Sequence, residues 1–206
     1  MFSLIRFEIL YRETLWDKKF DSTAFNFKIT SNKKKFSFDF DGQHWMKNAS
    51  HDHWIYPVES IPLNYNEWQL STEIELIKSR LNGYYGIMWG YGKDIATINS
   101  FCLSADGQQC LLLSFQKNRY FIDYRYSTIF ERPFSGKVAF LVYKTRDYYF
   151  FSLNKVVIHI CPSSKFLNEG SFVGYFLDCD ILIRSTYLKA EHLITKNAVA
   201  TPIKPA

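Results

Sequence analysis

The sequence predicts an all-β chain folded as a two-sheet antiparallel sandwich, and three observations support this fold class. Aromatic residues make up 18% of the 206 residues, with 19 Phe and 14 Tyr, and such side chains fit a pleated, half-buried surface. Apolar and polar residues alternate over many short segments, which is the period of a strand with one buried face. Turn dipeptides separate these segments about every 8–12 residues, with no amphipathic helix between them.

The N-terminal part predicts a strand and a hairpin. Residues 2–11 are rich in Phe, Ile and Leu and predict a first strand, whereas residues 13–22 are polar enough for a loop. Residues 25–40 alternate Phe and Ile with polar side chains on either side of a lysine run, which predicts two strands. Residues 43–64 show no regular pattern.

The clearest pattern runs through residues 66–93. One face of the first predicted strand is apolar: Trp68, Leu70, Thr72, Ile74 and Leu76. Asn82-Gly83 is a turn dipeptide that predicts positive φ angles in a tight hairpin. The second strand alternates aromatic residues with glycines, and glycines in a strand let a ligand or another backbone approach closely.

The rest of the chain predicts further strands joined as successive hairpins. All the predicted strands belong to one domain, residues 1–190. They cover residues 95–104, 109–116, 119–126, 137–143, 148–153, 156–160, 171–177 and 181–187. Residues 191–206 are predicted to be a C-terminal tail. A short helix is expected where the tail begins, after Leu188, and the end of the tail is expected to be flexible or ordered by a partner.

Charge and cysteine usage exclude several function classes. The net charge is +5, but the basic residues form no continuous stripe, so we expect no nucleic-acid partner. The four cysteines have no Cys-x-x-Cys spacing, and His51-x-His53 lacks a third ligand, so we expect no metal or other cofactor. Cys102 and Cys110 flank a predicted turn and are placed to face one another across it. Without an apolar run of membrane or signal-peptide length, we expect a cytoplasmic protein with free thiols.

Several motifs together resemble a known superfamily. They are Trp68-x-Leu-Ser, the segment Gly83-Tyr-Tyr-Gly-Ile-Met-Trp-Gly90, an Asp106-Gly107 hairpin and the segment ending in Leu153-Asn-Lys155. Over residues 25–188 this order is similar to the concanavalin A-like (laminin G-like) jelly rolls. Further matching positions are Tyr149, Phe151, Phe172, Gly174 and Asp180, and Lys155 stands where these domains prefer glycine.

The resemblance implies two packed, curved antiparallel sheets, with the concave sheet as the usual place for ligands. Members of this superfamily bind glycans, bind proteins or hydrolyse β-glucans, and fold alone does not choose among them.

The segment Glu73-Ile-Glu75-Leu-Ile-Lys78 tests the hydrolase alternative. Glucanases of this fold carry a strand reading Glu-x-Asp-x-x-Glu, whose two carboxylates serve as nucleophile and acid. Here Lys78 stands where the acid is needed, and a lysine cannot replace a protonated carboxylic acid. The sequence therefore predicts a protein that is not an enzyme.

Two binding functions remain open. A protein-interaction or scaffolding subunit, with a protein partner or a homo-oligomer, is our first expectation, because tyrosine and arginine are common interface anchors. The predicted interface residues are Arg119, Tyr120, Tyr124, Arg125 and Tyr126. The alternative is a lectin-like module that binds a glycan through aromatic faces and polar partners. Its predicted residues, for which core packing is the competing explanation, are Trp45, Trp54, Trp89, Tyr91, Asp94 and Asn99.

Overall fold

The computed structural model describes residues 9–19, 44–47, 54–60, 66–79, 82–91, 97–116, 121–166, 172–178 and 181–195. Its strands are β1 Ile9–Lys19, β2 His44–Lys47, β3 Trp54–Ser60, β4 Trp68–Ser79, β5 Tyr84–Tyr91, β6 Thr97–Ser104, β7 Gln109–Gln116, β8 Phe121–Ile129, β9 Lys137–Lys144, β10 Tyr148–Leu153, β11 Val156–Pro162, β12 Phe172–Leu177 and β13 Ile181–Thr195. A 3-10 helix, Ser163–Lys165, follows β11.

The strands form two antiparallel sheets, which confirms the predicted fold class. The seven-stranded sheet has the order β1-β13-β4-β9-β10-β11, with β2 also paired to β13, and the six-stranded sheet has the order β3-β12-β5-β6-β7-β8. Among the described strands, β1 and β11 therefore lie at the ends of the first order, and β3 and β8 at the ends of the second.

The core lies between the inner faces of these sheets. On β4 the predicted alternation is confirmed from residue 68 to residue 74, because Trp68, Leu70, Thr72 and Ile74 are fully buried while residues 69, 71 and 73 are partly exposed. Leu76, the last residue predicted on this face, is only partly buried. Neighbouring strands bury every second side chain in the same way, and the product is one continuous apolar cluster.

A buried polar network joins the two sheets. Tyr175 reaches from β12 across the core, and its hydroxyl lies 2.8 Å from Ser185 Oγ and 3.2 Å from Thr72 Oγ1. The carbonyl of Tyr187 accepts from Thr72, beside a bulge in β13. Because each of these buried hydroxyls has partners, the network avoids the cost of unsatisfied polar groups.

The two ends of the chain differ from the prediction. The strand β1 covers Ile9–Lys19, including residues expected to be a loop, because their backbone pairs with β13. Strand β13 continues to Thr195, past the predicted boundary at residue 190, because it pairs with β1 and β4. Polar composition suggested a loop, but an antiparallel ladder tolerates polar side chains on its solvated face. The hairpin predicted over residues 25–40 lies outside the described residues.

Positive φ angles occur at a different hairpin from the one predicted. Gly83 has no positive φ, whereas Asn154 (φ +48) and Lys155 (φ +68) in the β10–β11 turn do. That turn has the left-handed conformation of a two-residue hairpin, for which Asn-Gly is the favoured sequence. Asn82 instead serves as a side-chain partner of Asp106, 3.0 Å away in the β6–β7 turn.

The predicted facing of Cys102 and Cys110 is wrong. The β6–β7 register places Cys102 opposite Leu111 and Leu103 opposite Cys110. Because side chains alternate along a strand, a shift of one residue puts the two thiols on opposite faces. Both are buried and free, Cys110 in the core between the sheets and Cys102 in a smaller cluster with Met88 and Phe176.

None of the described residues forms a helix with the length and apolarity that crossing a membrane requires. Within the same residues, no group of three or more His, Cys, Asp or Glu side chains is arranged to hold a metal ion. His51 and His53 lie outside the described part of the chain.

Candidate functional site

Trp89, the centre of the predicted glycan site, is a core residue. Its side chain is fully buried, with ring centroids 5.4 Å from Phe166 and 6.0 Å from both Tyr149 and Phe151. A glycan needs an accessible ring face, so this burial corrects the prediction that Trp89 binds a ligand.

Asn99 is likewise an internal residue. It is fully buried opposite Trp89 in the β5–β6 ladder, and its Oδ1 accepts a hydrogen bond of 2.8 Å from the Ser114 hydroxyl. An amide bonded inside the core is not available to a ligand, which corrects this prediction as well. Tyr91 is the last residue of β5, its side chain is not described, and Asp94 lies outside the described residues.

Trp45 and Trp54 lie in strands, although the sequence around them showed no regular pattern. Trp45 is in β2, opposite Arg184 of β13, and Trp54 is in β3, opposite Leu177 of β12. Their side chains are not described, so the prediction that they bind a glycan stays a prediction.

The carboxylates tested for hydrolysis are paired with cations. Arg184 donates to Glu75 Oε2, with its Nε 3.0 Å away, and Lys137 Nζ lies 3.6 Å from Glu73 Oε1. Lys78 is exposed at the other end of the same strand.

The tyrosine face of β8 packs within the chain. The Tyr124 hydroxyl lies 2.7 Å from His159 Nε2, the ring of Tyr126 stacks on His159 at 3.7 Å, and Tyr124 meets Phe166 edge-on at 5.1 Å. These contacts close the side of the sandwich between the edge strands β8 and β11. Intramolecular packing therefore accounts for Tyr124 and Tyr126, and it corrects the expectation that this face needs a subunit contact.

The remaining predicted interface residues have separate outcomes. Arg125 is exposed on the opposite face of β8. Arg119 and Tyr120 lie outside the described residues.

Burial shifts the pKa values of Tyr124 and His159, the two titratable groups that meet between β8 and β11. Desolvation raises the pKa of Tyr124 to about 12 and lowers the pKa of His159 below its ordinary 6.5. Both shifts favour the neutral forms, since burial penalises a charge. The folded protein therefore favours the uncharged form of the stacked imidazole.

We expect the His159 contact to make folding stability pH-dependent. The unfolded chain binds the His159 proton at its ordinary pKa of 6.5 and the folded chain binds it more weakly. The free energy of unfolding should therefore fall as the pH drops below 6.5 and level off below the folded-state pKa. His159→Phe keeps a ring against Tyr126 but cannot be protonated, so its unfolding midpoint should fall less between about pH 7.5 and 5. Equal falls in the two proteins would contradict this assignment.

An exposed apolar surface lies on β11 and its neighbour β10, and the other large exposed apolar side chains of the described residues are Ile77 on β4 and Ile129 on β8. Four side chains contribute to it, with the exposed fraction after each: Val156 (59%), Val157 (55%), Ile160 (43%) and Tyr148 (47%). Val157 and Ile160 lie opposite Ser152 and Phe150, so they project from the outer face of the seven-stranded sheet, away from the six-stranded sheet. We call β11 with these four side chains the β11 edge surface.

The β11 edge surface was not predicted from the sequence. Residues 156–160 read as an ordinary strand with apolar residues, and their place at the edge depends on the sheet order. One available signal was the absence of Asp, Glu, Lys and Arg from Val156–Pro162, with Lys155 before it and Lys165 after it.

Comparison with known proteins identifies the fold. No protein-family model matches the sequence, and no curated protein sequence matches it. The Bacillus licheniformis beta-glucanase is similar in structure, with a TM-score of 0.59 at 6% identity over 86% of this chain and 97% of that chain. The CBM2 module of the evolved Dit of Lactobacillus casei BL23 phage J-1 gives a TM-score of 0.52 at 13% identity over 88% and 96%.

A third similar structure is the GH43 protein BlXynB from Bacillus licheniformis, with a TM-score of 0.49 at 11% identity. The match covers 72% of this chain and 32% of that one, so the chain spans about a third of that protein's length. The likeness to the beta-glucanase and the CBM2 module shows the jelly-roll fold that the sequence motifs implied. At these identities it shows the fold alone.

Proposed function

We propose that this chain is a non-enzymatic binding module whose ligand is another polypeptide, held at the β11 edge surface. The observation that carries the proposal is an uncharged edge strand with three exposed apolar side chains, Val156, Val157 and Ile160. Proteins usually protect such an edge with charged residues, proline, bulges or a covering element, since it offers unpaired backbone groups to other chains. β11 has two of these features, a bulge at Val157–His159 and Pro162 at its end, but it contains no Asp, Glu, Lys or Arg. An edge left apolar in this way fits a surface that a partner covers.

The absence of catalysis is part of the same proposal. Glu73 and Glu75 each pair with a cation, and Lys78 replaces the acid of the glucanase motif. We expect no hydrolysis of β-glucan. Hydrolysis that is lost in Glu73→Gln would refute this part.

A selection of random peptides displayed on phage tests the proposed function. Peptides that bind the folded chain should bind the double variant Val157→Thr, Ile160→Thr about tenfold more weakly, since each change removes exposed apolar surface while retaining a β-branched residue. Ile77→Thr on β4 is the matched control, because Ile77 is also exposed but lies away from β11. A selection without binders, or binders indifferent to the double variant, would overturn the proposal.

A carbohydrate is the second candidate ligand, favoured by the exposed ring of Tyr148. On the outer face of the seven-stranded sheet, Tyr143 and Phe150 stack with centroids 5.5 Å apart, and Gln69 lies opposite Tyr143. Rings beside amides are typical of sugar sites. Binding on an oligosaccharide array that Tyr148→Ala abolishes, and that the double threonine variant retains, would favour this candidate over the first.

A further inference from the structure

We infer that the polypeptide at the β11 edge surface is an extended, acidic segment that adds to the sheet as a further strand, an inference that rests on the proposed function. Three features of this edge support the inference: its backbone groups that face away from β10, the charges at its two ends and the conformation of Lys155.

The backbone of β11 offers hydrogen bonds to an incoming strand. Among the described strands it pairs with β10 alone, in the antiparallel register that joins Phe151 to His159 and Tyr149 to Cys161. Every second residue of an edge strand directs its N–H and C=O away from the sheet. A bulge at Val157–His159 interrupts this alternation, and Pro162 has no backbone N–H, so the available ladder covers residues 156–161 with a break at the bulge. An extended peptide satisfies such a ladder directly.

Positive charge stands at both ends of this ladder. Lys155 precedes β11 and Lys165 follows it, and both are exposed. Arg146 lies near the second end, where the Ser163 Oγ donates to the Arg146 carbonyl at 2.9 Å, and its side chain is also exposed. Among the described residues none of these three cations makes an ion pair, and Asp147 is the acidic residue next to Arg146 in the sequence. Acidic groups at both ends of a bound segment would complement these charges.

The conformation of Lys155 supports a role for its charge. Its φ of +68 lies in the left-handed region, which residues other than Gly, Asn and Asp rarely adopt. The adjacent Asn154 gains a compensating hydrogen bond, because its Oδ1 accepts from the Ala139 N–H at 2.8 Å. Lys155 makes no such contact within the described residues. A strained backbone that keeps an exposed lysine fits a side chain used in binding.

The same charges disfavour two other occupants. In antiparallel pairing between two copies of this chain, Lys155 of one copy would lie near the basic second end of the other, and like charges across strands are destabilising. The C-terminal residues 196–206 contain two lysines and no Asp or Glu, so they do not complement the edge either.

Binding of synthetic peptides to the full chain, followed by fluorescence anisotropy, tests the inference. The probe is an alternating Thr-Val peptide with two glutamates at each end, and the matched peptide has lysines there. We expect the glutamate peptide to bind about tenfold more tightly at low salt. N-methylation of the amides on one edge of the glutamate peptide should abolish binding, whereas methylation on the other edge should leave it. Equal effects of the two methylation patterns would overturn strand addition.

Variants of the chain separate this inference from the proposed function. Lys155→Gly and Arg146→Gln should each weaken binding of the glutamate peptide severalfold without lowering the unfolding temperature. The control Lys137→Gln, away from β11, should leave binding of this peptide unchanged. If both peptides bind equally and the double threonine variant still weakens both, the acidic preference fails and the proposed function stands. If neither peptide binds at millimolar concentration and phage selection yields no binders, both fail.

Discussion

Replacing Trp89 with alanine is expected to lower the free energy of unfolding by about 3–5 kcal/mol. The ring is fully buried where β5 meets the opposite sheet, and it contacts Trp68, Tyr149, Phe151 and Phe166. Truncation removes this apolar contact and leaves a cavity that a sheet scaffold refills poorly. Denaturant unfolding monitored by far-ultraviolet circular dichroism measures the loss.

The control is Tyr148→Ala, because Tyr148 is also aromatic and also lies in a strand but is 47% exposed. It should lose much less stability than Trp89→Ala. If Trp89→Ala unfolds like the unmodified protein and instead loses a ligand, the ring is not a core residue, and the original prediction of a site at Trp89 returns.

The sequence predicted the sheets better than it predicted the site, and Trp89 shows why. One-sided burial leaves a period of two in the sequence, so β4 was readable residue by residue. On β5 both faces are buried, and its period came from aromatic residues alternating with glycines. The same pattern does not say whether a face meets the other sheet or a ligand. The ring of Trp89 is buried because it packs against Tyr149 and Phe166. These two residues are distant from Trp89 in sequence, so a local pattern could not reveal the contact.

The edge strands illustrate a second limit. Tyr124 and Tyr126 were assigned to an interface because both faces of β8 carried large side chains, yet His159 of β11 covers one of those faces. Conversely, β11 read as an ordinary strand, and only the order of strands in the sheet makes it an edge. Strand order results from long-range pairing, which turn dipeptides and alternation do not encode.

Hairpin chemistry was readable in part. The Asp106-Gly107 pair was expected at a turn, and the structure places it between β6 and β7. There the Ser104 hydroxyl and the Gln108 N–H donate to Asp106 Oδ1 and lower the pKa of this carboxyl. What the dipeptide did not reveal is a tertiary contact: the Phe134 N–H donates to the Gly107 carbonyl at 2.9 Å.

That contact predicts the second large effect, a loss of about 2–5 kcal/mol of folding free energy in Gly107→Ala. Gly107 has a φ of +71, and a Cβ built on it would lie 1.9 Å from the Phe134 carbonyl oxygen. Neither backbone can yield cheaply, because the β6–β7 turn and the segment around Phe134 are joined by the same hydrogen bond.

Gly136→Ala separates the two causes, since Gly136 has a similar φ of +68 but nothing within 4 Å of the added Cβ. It should lose about 1–2 kcal/mol, the cost of the left-handed backbone alone. The difference between the two variants then measures the clash with Phe134, and thermal unfolding of both proteins under the same conditions supplies it. Equal losses would mean that the segment around Phe134 moves away freely and does not brace the β6–β7 turn.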